Sequence, residues 1–175
     1  MNQRSHAAMS VDDAESIVSQ AVSEFERPLT NYAYSLLKDV DRARDVVQET
    51  FVKLCQQAPS TFEGSLKAWL FTVCRNRALD ILKKNRRMTT IDSLTMDKLE
   101  SQAPCPAQQT SQKDIHQRAL TLLEKLPTNQ REVIRLRFQS DLSYREISKI
   151  TQLSESNVGF LLHTGLKSLR ALMAS

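Results

Sequence analysis

The sequence predicts an all-α protein: two small helical domains joined by an extended linker, the C-terminal one a helix-turn-helix. Three observations predict it. Only 3 Gly and 5 Pro punctuate the 175 residues, and runs of β-branched residues are few. Apolar residues recur at three- and four-residue spacing over two long stretches. Between those stretches residues 89–113 lose the period and turn to Thr, Ser, Gln and Asp around Pro104 and Pro106. The domains therefore run over residues 11–88 and 114–175, and residues 1–10 read as a loose tail.

Taken in order, a first helix is predicted over Asp12–Glu26, with Ile17, Ala21, Val22 and Phe25 on one side. Pro28 suits the first turn of a second helix carrying Leu29, Tyr32, Ala33 and Leu36. A third, Asp39 to Gln57, turns Ala43, Val46, Val47, Phe51 and Leu54 inward and Asp45, Gln48, Glu49 and Lys53 outward. Residues 56–64, punctuated by Pro59 and Gly64, form a loop. Ser65 caps a fourth helix, Leu66 to about Arg87, with Leu66, Leu70, Val73, Cys74, Ala78 and Ile81 as its apolar stripe. Its end, Lys83-Lys84-Asn85-Arg86-Arg87, holds four cations in five residues. Cations there favour the helix dipole, but so many point further, to phosphate. In the second domain Ile115, Ala119, Leu122, Leu123 and Leu126 form one stripe. Pro127 breaks it, and Val133, Ile134, Leu136 and Phe138 continue it. Ser143 with Glu146 is a capping box. A short helix with Ile147 and Ile150 follows, then a turn at Thr151-Gln152-Leu153. Ser154 caps a last helix with Val158, Leu161, Leu162, Leu166 and Leu169 at helical spacing. Helix, tight turn and helix make the motif whose second helix enters a DNA major groove, an ordinary helical hairpin being the competing reading.

Charge is distributed unevenly. The net is −3 over residues 1–60, +5 over 61–90, −1 over 91–113 and +3 over 114–175, for +4 in all. Two basic blocks on either side of a spacer suggest two contacts with one polyanion, and the acidic first third suits a protein partner. Cys55, Cys74 and Cys105 form no C-x-x-C pair, so reduced thiols are expected, Cys55 and Cys74 as small core residues. With His6, His116 and His163 they make no metal-binding spacing, and neither metal nor cofactor is expected. No apolar run approaches the roughly 20 residues of a membrane span, and no signal-peptide pattern opens the chain. A cytoplasmic protein without membrane insertion is expected. Acidic residues lie on helix faces beside basic ones, with no catalytic constellation, so an enzyme is not expected.

The order of these blocks resembles the extracytoplasmic-function group of bacterial sigma factors, in the sigma-70 family. Asp-Val-Asp-Arg-Ala-Arg-Asp-Val-Val-Gln-Glu-Thr-Phe-Val-Lys-Leu at 39–54 is similar to that family's region 2.2. Lys67-Ala-Trp-Leu-Phe-Thr-Val-Cys-Arg-Asn-Arg-Ala-Leu-Asp-Ile-Leu-Lys-Lys is similar to regions 2.3 and 2.4. Leu126-Pro-Thr-Asn-Gln-Arg-Glu-Val-Ile-Arg-Leu-Arg-Phe, running into the helix-turn-helix, is similar to region 4. The resemblance covers residues 11–172. It implies an alternative sigma factor that binds core RNA polymerase, at the β′ clamp and the β flap, and directs it to promoters.

The roles it implies fall on named residues. Asp45, Gln48 and Glu49 would dock on the β′ clamp. Promoter DNA at the −10 element would meet Phe62, Ser65, Lys67, Trp69, Arg75, Asn76, Lys83, Lys84, Arg86 and Arg87. There a non-template base is flipped out at a cost of a few kcal/mol, offset by stacking and hydrogen-bonding groups. Trp69 and Phe71 have a competing place in the core, and Asp80 is expected to pair with Arg77, Lys83 or Lys84. At the −35 element Ser154, Ser156, Asn157, Phe160, His163 and Lys167 would face the groove, with Arg145 and Lys149 on the backbone. Many family members carry Lys or Arg where this chain has Gly159, Leu161 and Thr164, and Gly165 replaces a helix former at a cost near 1 kcal/mol. An anti-sigma factor is therefore an alternative cover for Phe160 and Leu161. A stand-alone helix-turn-helix regulator is the alternative to the whole reading. It would footprint duplex DNA without polymerase, and a dimer would do so at paired half-sites.

Overall fold

The computed structural model describes residues 11–57, 65–91 and 111–174, with side chains over 16–57, 65–87 and 117–174. The tail at 1–10, the loop residues 58–64 that include Phe62, and 92–110 of the linker, Cys105 among them, lie outside the described residues. Every described element is an α-helix. The chain divides into two compact units, Met1–Leu82 and Lys83–Ser175, the division falling inside a helix.

The first unit is built on α1 (Val11–Leu37), α2 (Val40–Cys55) and α3 (Leu66–Ile91). α1 corrects an expectation: the two helices foreseen on either side of Pro28 are one, with Pro28 inside it. Proline removes one backbone hydrogen bond and crowds the preceding turn, at about 3 kcal/mol. The apolar side nevertheless runs unbroken through it, with Ala21, Phe25, Leu29, Tyr32 and Ala33 all buried. At about 1.5–3 kcal/mol for each large side chain, burial of Phe25, Leu29 and Tyr32 outweighs the proline. The Thr30 and Ser35 hydroxyls donate to the carbonyls of Glu26 and Tyr32 at 2.8 and 2.7 Å.

The α1–α2 hairpin turns at Lys38, whose φ of 57° lies in the left-handed region. Asp39 then caps α2, its carboxylate accepting from the Arg42 N–H at 3.0 Å. Ala43, Val46, Val47 and Leu54 are buried against α1. α3 begins as foreseen, the Ser65 hydroxyl accepting from the Ala68 N–H at 3.2 Å. It buries Ala68, Leu70, Phe71, Cys74 and Ala78. Phe71 has no exposed surface, and its ring lies 5.4 Å from that of Tyr32 on α1, tilted by 53°. Phe71 is thus core.

The second unit holds α4 (Ser111–Leu123), α5 (Thr128–Phe138), α6 (Tyr144–Thr151) and α7 (Glu155–Ala174). Leu122, Leu123, Leu126, Val133, Ile134, Leu136, Leu142, Ile147, Ile150, Val158 and Leu162 form its core. Phe138 departs from its predicted place: it ends the α5 stripe but is 63% exposed, because the chain leaves the helix there and Leu142 takes the buried position beneath the loop. The Arg137 guanidinium donates to the Leu142 carbonyl at 3.1 Å, which anchors that loop.

The capping box forms in full. The Ser143 hydroxyl accepts from the Glu146 N–H at 3.3 Å, and the Glu146 carboxylate accepts from the Ser143 N–H at 2.8 Å. Ser143→Ala removes half of it; a loss of about 1 kcal/mol is expected in urea unfolding followed by circular dichroism. The turn to α7 is made by Gln152 at φ 60°, and the Ser148 hydroxyl donates across it to the Leu153 carbonyl at 2.5 Å. Ser154 caps α7 as predicted, accepting from the Asn157 N–H at 3.2 Å.

Gly165 is explained by packing. It is buried where α7 crosses α5, and a Cβ there would lie 2.8 Å from Ile134 Cδ1 and 3.2 Å from Gln130 Cβ. The two helices approach closely enough here that any side chain must displace the Ile134 methyl, and one larger than a methyl group has no room.

Candidate functional site

Three surfaces hold the residues that the sequence singled out. On α2, Asp45, Gln48 and Glu49 project from the face opposite the buried stripe. With Val52, Lys53 and Gln56 they line a shallow groove. Asp45 and Gln48 are exposed and Glu49 is half-buried. Val52, 55% exposed, puts an apolar patch at the centre of this polar rim, a feature the sequence pattern left unremarked. Glu49 is not alone there: Arg77 of α3 reaches it, with Nη2 donating to Oε1 at 2.9 Å and Nε 2.5 Å from Oε2. Arg77 is one of three cations, with Lys83 and Lys84, that the sequence offers to Asp80. Asp80 does act on it electrostatically, but the hydrogen bond to Glu49 is the main reason its guanidinium is held above its ordinary pKa.

The second surface is α3. Ser65 is engaged in capping. Lys67, Trp69 and Arg75 are half-buried and have partners within the protein. Asn76 is exposed, as are Lys83, Lys84, Arg86 and Arg87. Helical spacing aligns Asn76, Asp80, Lys83 and Arg87 along one outer line, so an amide and two cations share a face interrupted by a single carboxylate. Phe62 lies outside the described residues, and Phe71 is in the core. Trp69 is therefore the one aromatic side chain of the predicted strand-binding set that the described surface offers.

Beneath this surface lies Cys74, completely buried, its thiol pushed up to about 12 by desolvation. Cys55 overturns its predicted place in the core: it is exposed in the last turn of α2, one residue past buried Leu54 and so rotated about 100° off the stripe of Val46, Val47, Thr50 and Leu54. Alkylation near pH 8 is expected to modify Cys55 and to reach Cys74 only in denaturant, as read by mass spectrometry of the labelled peptides. The buried thiol also sets a pH dependence. Its folded pKa exceeds the unfolded value of 9.0, so its contribution is complete below about pH 9 and is lost between there and about pH 12.

The third surface is the helix-turn-helix. Arg145 and Lys149 are exposed one turn apart on α6. On α7 the residues Ser154, Ser156, Asn157, Phe160, His163 and Lys167 are all exposed. Ser156, Phe160, His163 and Lys167 follow one another at four-, three- and four-residue steps and so form a single stripe. Phe160, 64% exposed, is its apolar centre. Of Gly159 and Thr164, where related sequences are expected to carry cations, Thr164 has other work; at Gly159 a Cβ would meet the Tyr144 ring only at an ordinary contact distance of 3.5 Å. Thr164 donates its hydroxyl to the Phe160 carbonyl at 2.8 Å, and Gln130 of α5 reaches its oxygen at 3.5 Å.

The cations of α5 turn inward. Glu124 accepts from Arg131 at 2.8 Å and from Arg135 at 2.6 Å. Burial pulls the Arg135 guanidinium below its ordinary pKa, and Glu124 opposes the shift. Among the described residues no three His, Cys, Asp or Glu side chains converge to hold a metal, and no described helix is long and apolar enough to cross a membrane.

Comparison with known proteins gives the family. The sigma-70 region 2 family matches residues 21–88 and the sigma-70 region 4 family residues 116–169. ECF RNA polymerase sigma factor SigM of Bacillus subtilis is 33% identical over 81% of this chain and 85% of its own length. SigX of the same organism is 31% identical over 85% and 79%. Among solved structures, the sigma factor RpoE from Bartonella quintana, in complex with the anti-sigma factor NepR, is 29% identical with a TM-score of 0.72, over 89% of this chain and 96% of that one. CnrH, in complex with the cytosolic domain of CnrY, is 25% identical with a TM-score of 0.61, over 91% and 89%. Two family matches that together span most of the chain, a relative 33% identical over most of both lengths and a shared helical fold place the chain among the ECF sigma factors of the sigma-70 family.

Proposed function

We propose that the chain docks on the β′ clamp of core RNA polymerase through the α2 groove, with Asp45 and Glu49 as acceptors, Gln48 as both donor and acceptor, and Val52 as apolar contact. The helix α3 then takes the −10 element. Asn76 and half-buried Trp69 offer hydrogen-bonding and stacking surface to an extruded base, and Lys83, Lys84, Arg86 and Arg87 hold the adjoining backbone. Stacking contributes about 1–3 kcal/mol per base, of the order needed to offset extraction. In the second unit α7 enters the major groove at the −35 element, and Arg145 and Lys149 of α6 grip phosphates. Asn157 suits adenine, and Lys167 suits guanine or phosphate. The chain serves as a stoichiometric initiation subunit rather than an enzyme, and acts in the cytoplasm, where promoters lie.

The observation that carries this reading is the capped helix-turn-helix with one polar stripe, Ser156, His163 and Lys167 around Phe160, on its exposed side. A stand-alone regulator is not favoured, because the region 2 match over 21–88 falls where a sensing domain would stand. Exposed Phe160 also suits an anti-sigma partner, as RpoE has in NepR. The test is run-off transcription with core polymerase from a related bacterium on fragmented genomic DNA, with sequencing of 5′ ends. Discrete starts sharing two upstream elements, and dependent on this protein, are expected. Footprints on duplex DNA at paired half-sites without polymerase, and no dependent starts, would return the regulator.

A further inference from the structure

We propose that Arg77 is a positioning residue for polymerase docking: its guanidinium fork fixes the Glu49 carboxylate in the orientation that core polymerase meets. The proposal rests on the reading of the α2 groove as the docking face. By sequence Arg77 belongs to the basic block of α3 and is one of three candidate partners for Asp80. Its side chain instead crosses to α2, and two guanidinium nitrogens approach the two carboxylate oxygens of Glu49 at 2.9 and 2.5 Å. The Nη2 approach is a hydrogen bond and the Nε approach an ion-pair contact without hydrogen-bond geometry, so the planar guanidinium faces both oxygens at once, which a lysine ammonium cannot do.

A glutamate on an exposed helix face otherwise samples several rotamers, and ordering it on binding costs affinity. Arg77 meets that cost within the free protein. The fork leaves Glu49 usable: each carboxylate oxygen keeps a second lone pair, and the side chain retains 44% of its exposure. Charges nearby fit the same role. Asp45, one turn back on α2, repels Glu49, and the Arg77 guanidinium offsets that repulsion. Asp80, one turn along α3, adds attraction that keeps the guanidinium at this spot. A pair this exposed contributes little to stability, so its effect should be seen in binding rather than in folding.

The test measures the affinity of the full chain for purified core polymerase by fluorescence anisotropy of labelled protein. Arg77→Ala is expected to weaken binding about three- to tenfold, the range given by ordering one long side chain. Arg77→Lys, which keeps the charge but not the fork, is expected to weaken it similarly. In a Glu49→Ala background, Arg77→Ala should change affinity by less than about twofold, because the residue acts through Glu49. The unfolding midpoint read at Trp69 should stay where it is in the unsubstituted chain. Equal loss with and without Glu49, full activity of Arg77→Lys, or tighter binding on removing Arg77 would each overturn the proposal. Asp45→Ala separates the two claims. If it weakens binding while Arg77→Ala does not, positioning fails and the docking face stands. If Asp45→Ala and Glu49→Ala both leave binding intact, the docking face fails and positioning with it.

Discussion

Phe71→Ala should unfold the first unit at markedly lower denaturant, with a loss of about 3–5 kcal/mol. The ring is fully buried and meets Tyr32 of α1 at 5.4 Å, so truncation leaves a cavity between α1 and α3 as well as lost transfer energy. The chain's single tryptophan makes the measurement selective. Trp69 lies two residues away on α3, and its fluorescence reports this unit alone. Phe71→Leu, which refills most of the space, should recover much of the loss. A Phe71→Ala chain of unchanged stability that failed only at promoter opening would mean that the ring serves DNA instead.

Gly165→Leu is the second large effect, and it falls on the other unit. Even a bare Cβ at this position stands 2.8 Å from Ile134 Cδ1 and 3.2 Å from Gln130 Cβ, so a leucine must push α7 off α5. Overpacking of this kind costs about 3 kcal/mol, and moving α7 moves the whole stripe of Ser156, Phe160, His163 and Lys167. Gly165→Ala is the informative control. The Ile134 methyl can rotate away, and the gain of about 1 kcal/mol in helix propensity opposes the contact, so near-neutral stability is expected. Circular dichroism should show early melting of part of the helix signal in Gly165→Leu, while the Trp69 transition stays in place.

Much of this architecture was legible because local signals agreed with the global pattern. The Ser143–Glu146 box, the Ser65 and Ser154 caps and Ala43, Val46, Val47 and Leu54 of α2 all stand where spacing put them, whereas Phe51, also predicted inward, is half-buried and Thr50 is buried beside it. What misled was punctuation. Pro28 reads as a helix start, yet burial of its neighbours carries α1 straight through it. Conversely, the described turns carry no glycine: Lys38, Asp141 and Gln152 take the positive φ values, while described Gly159 and Gly165 sit inside a helix. Gly165 answers to contact between helices, which no local window reveals. Side-chain partners were the least legible. The sequence offers Arg77 several carboxylates, and only the crossing of α3 over α2 selects Glu49, 28 residues away.

The inward-turned arginines of the second unit bear on how it searches a genome. Residues 114–175 hold nine basic side chains, but Arg131 and Arg135 are clasped by Glu124, and Arg137 is bonded to the Leu142 carbonyl. Six remain, Arg118 and Lys125 in and just after α4, and Arg145, Lys149, Lys167 and Arg170 on α6 and α7, the two helices proposed to meet DNA. Few counterions are released when so few phosphates are neutralised, and log affinity should fall with log salt no more steeply than about −4. Such a module is poorly retained by bulk DNA. It leaves random duplex quickly, and is held at a promoter only when a second contact on the same molecule raises its effective concentration there.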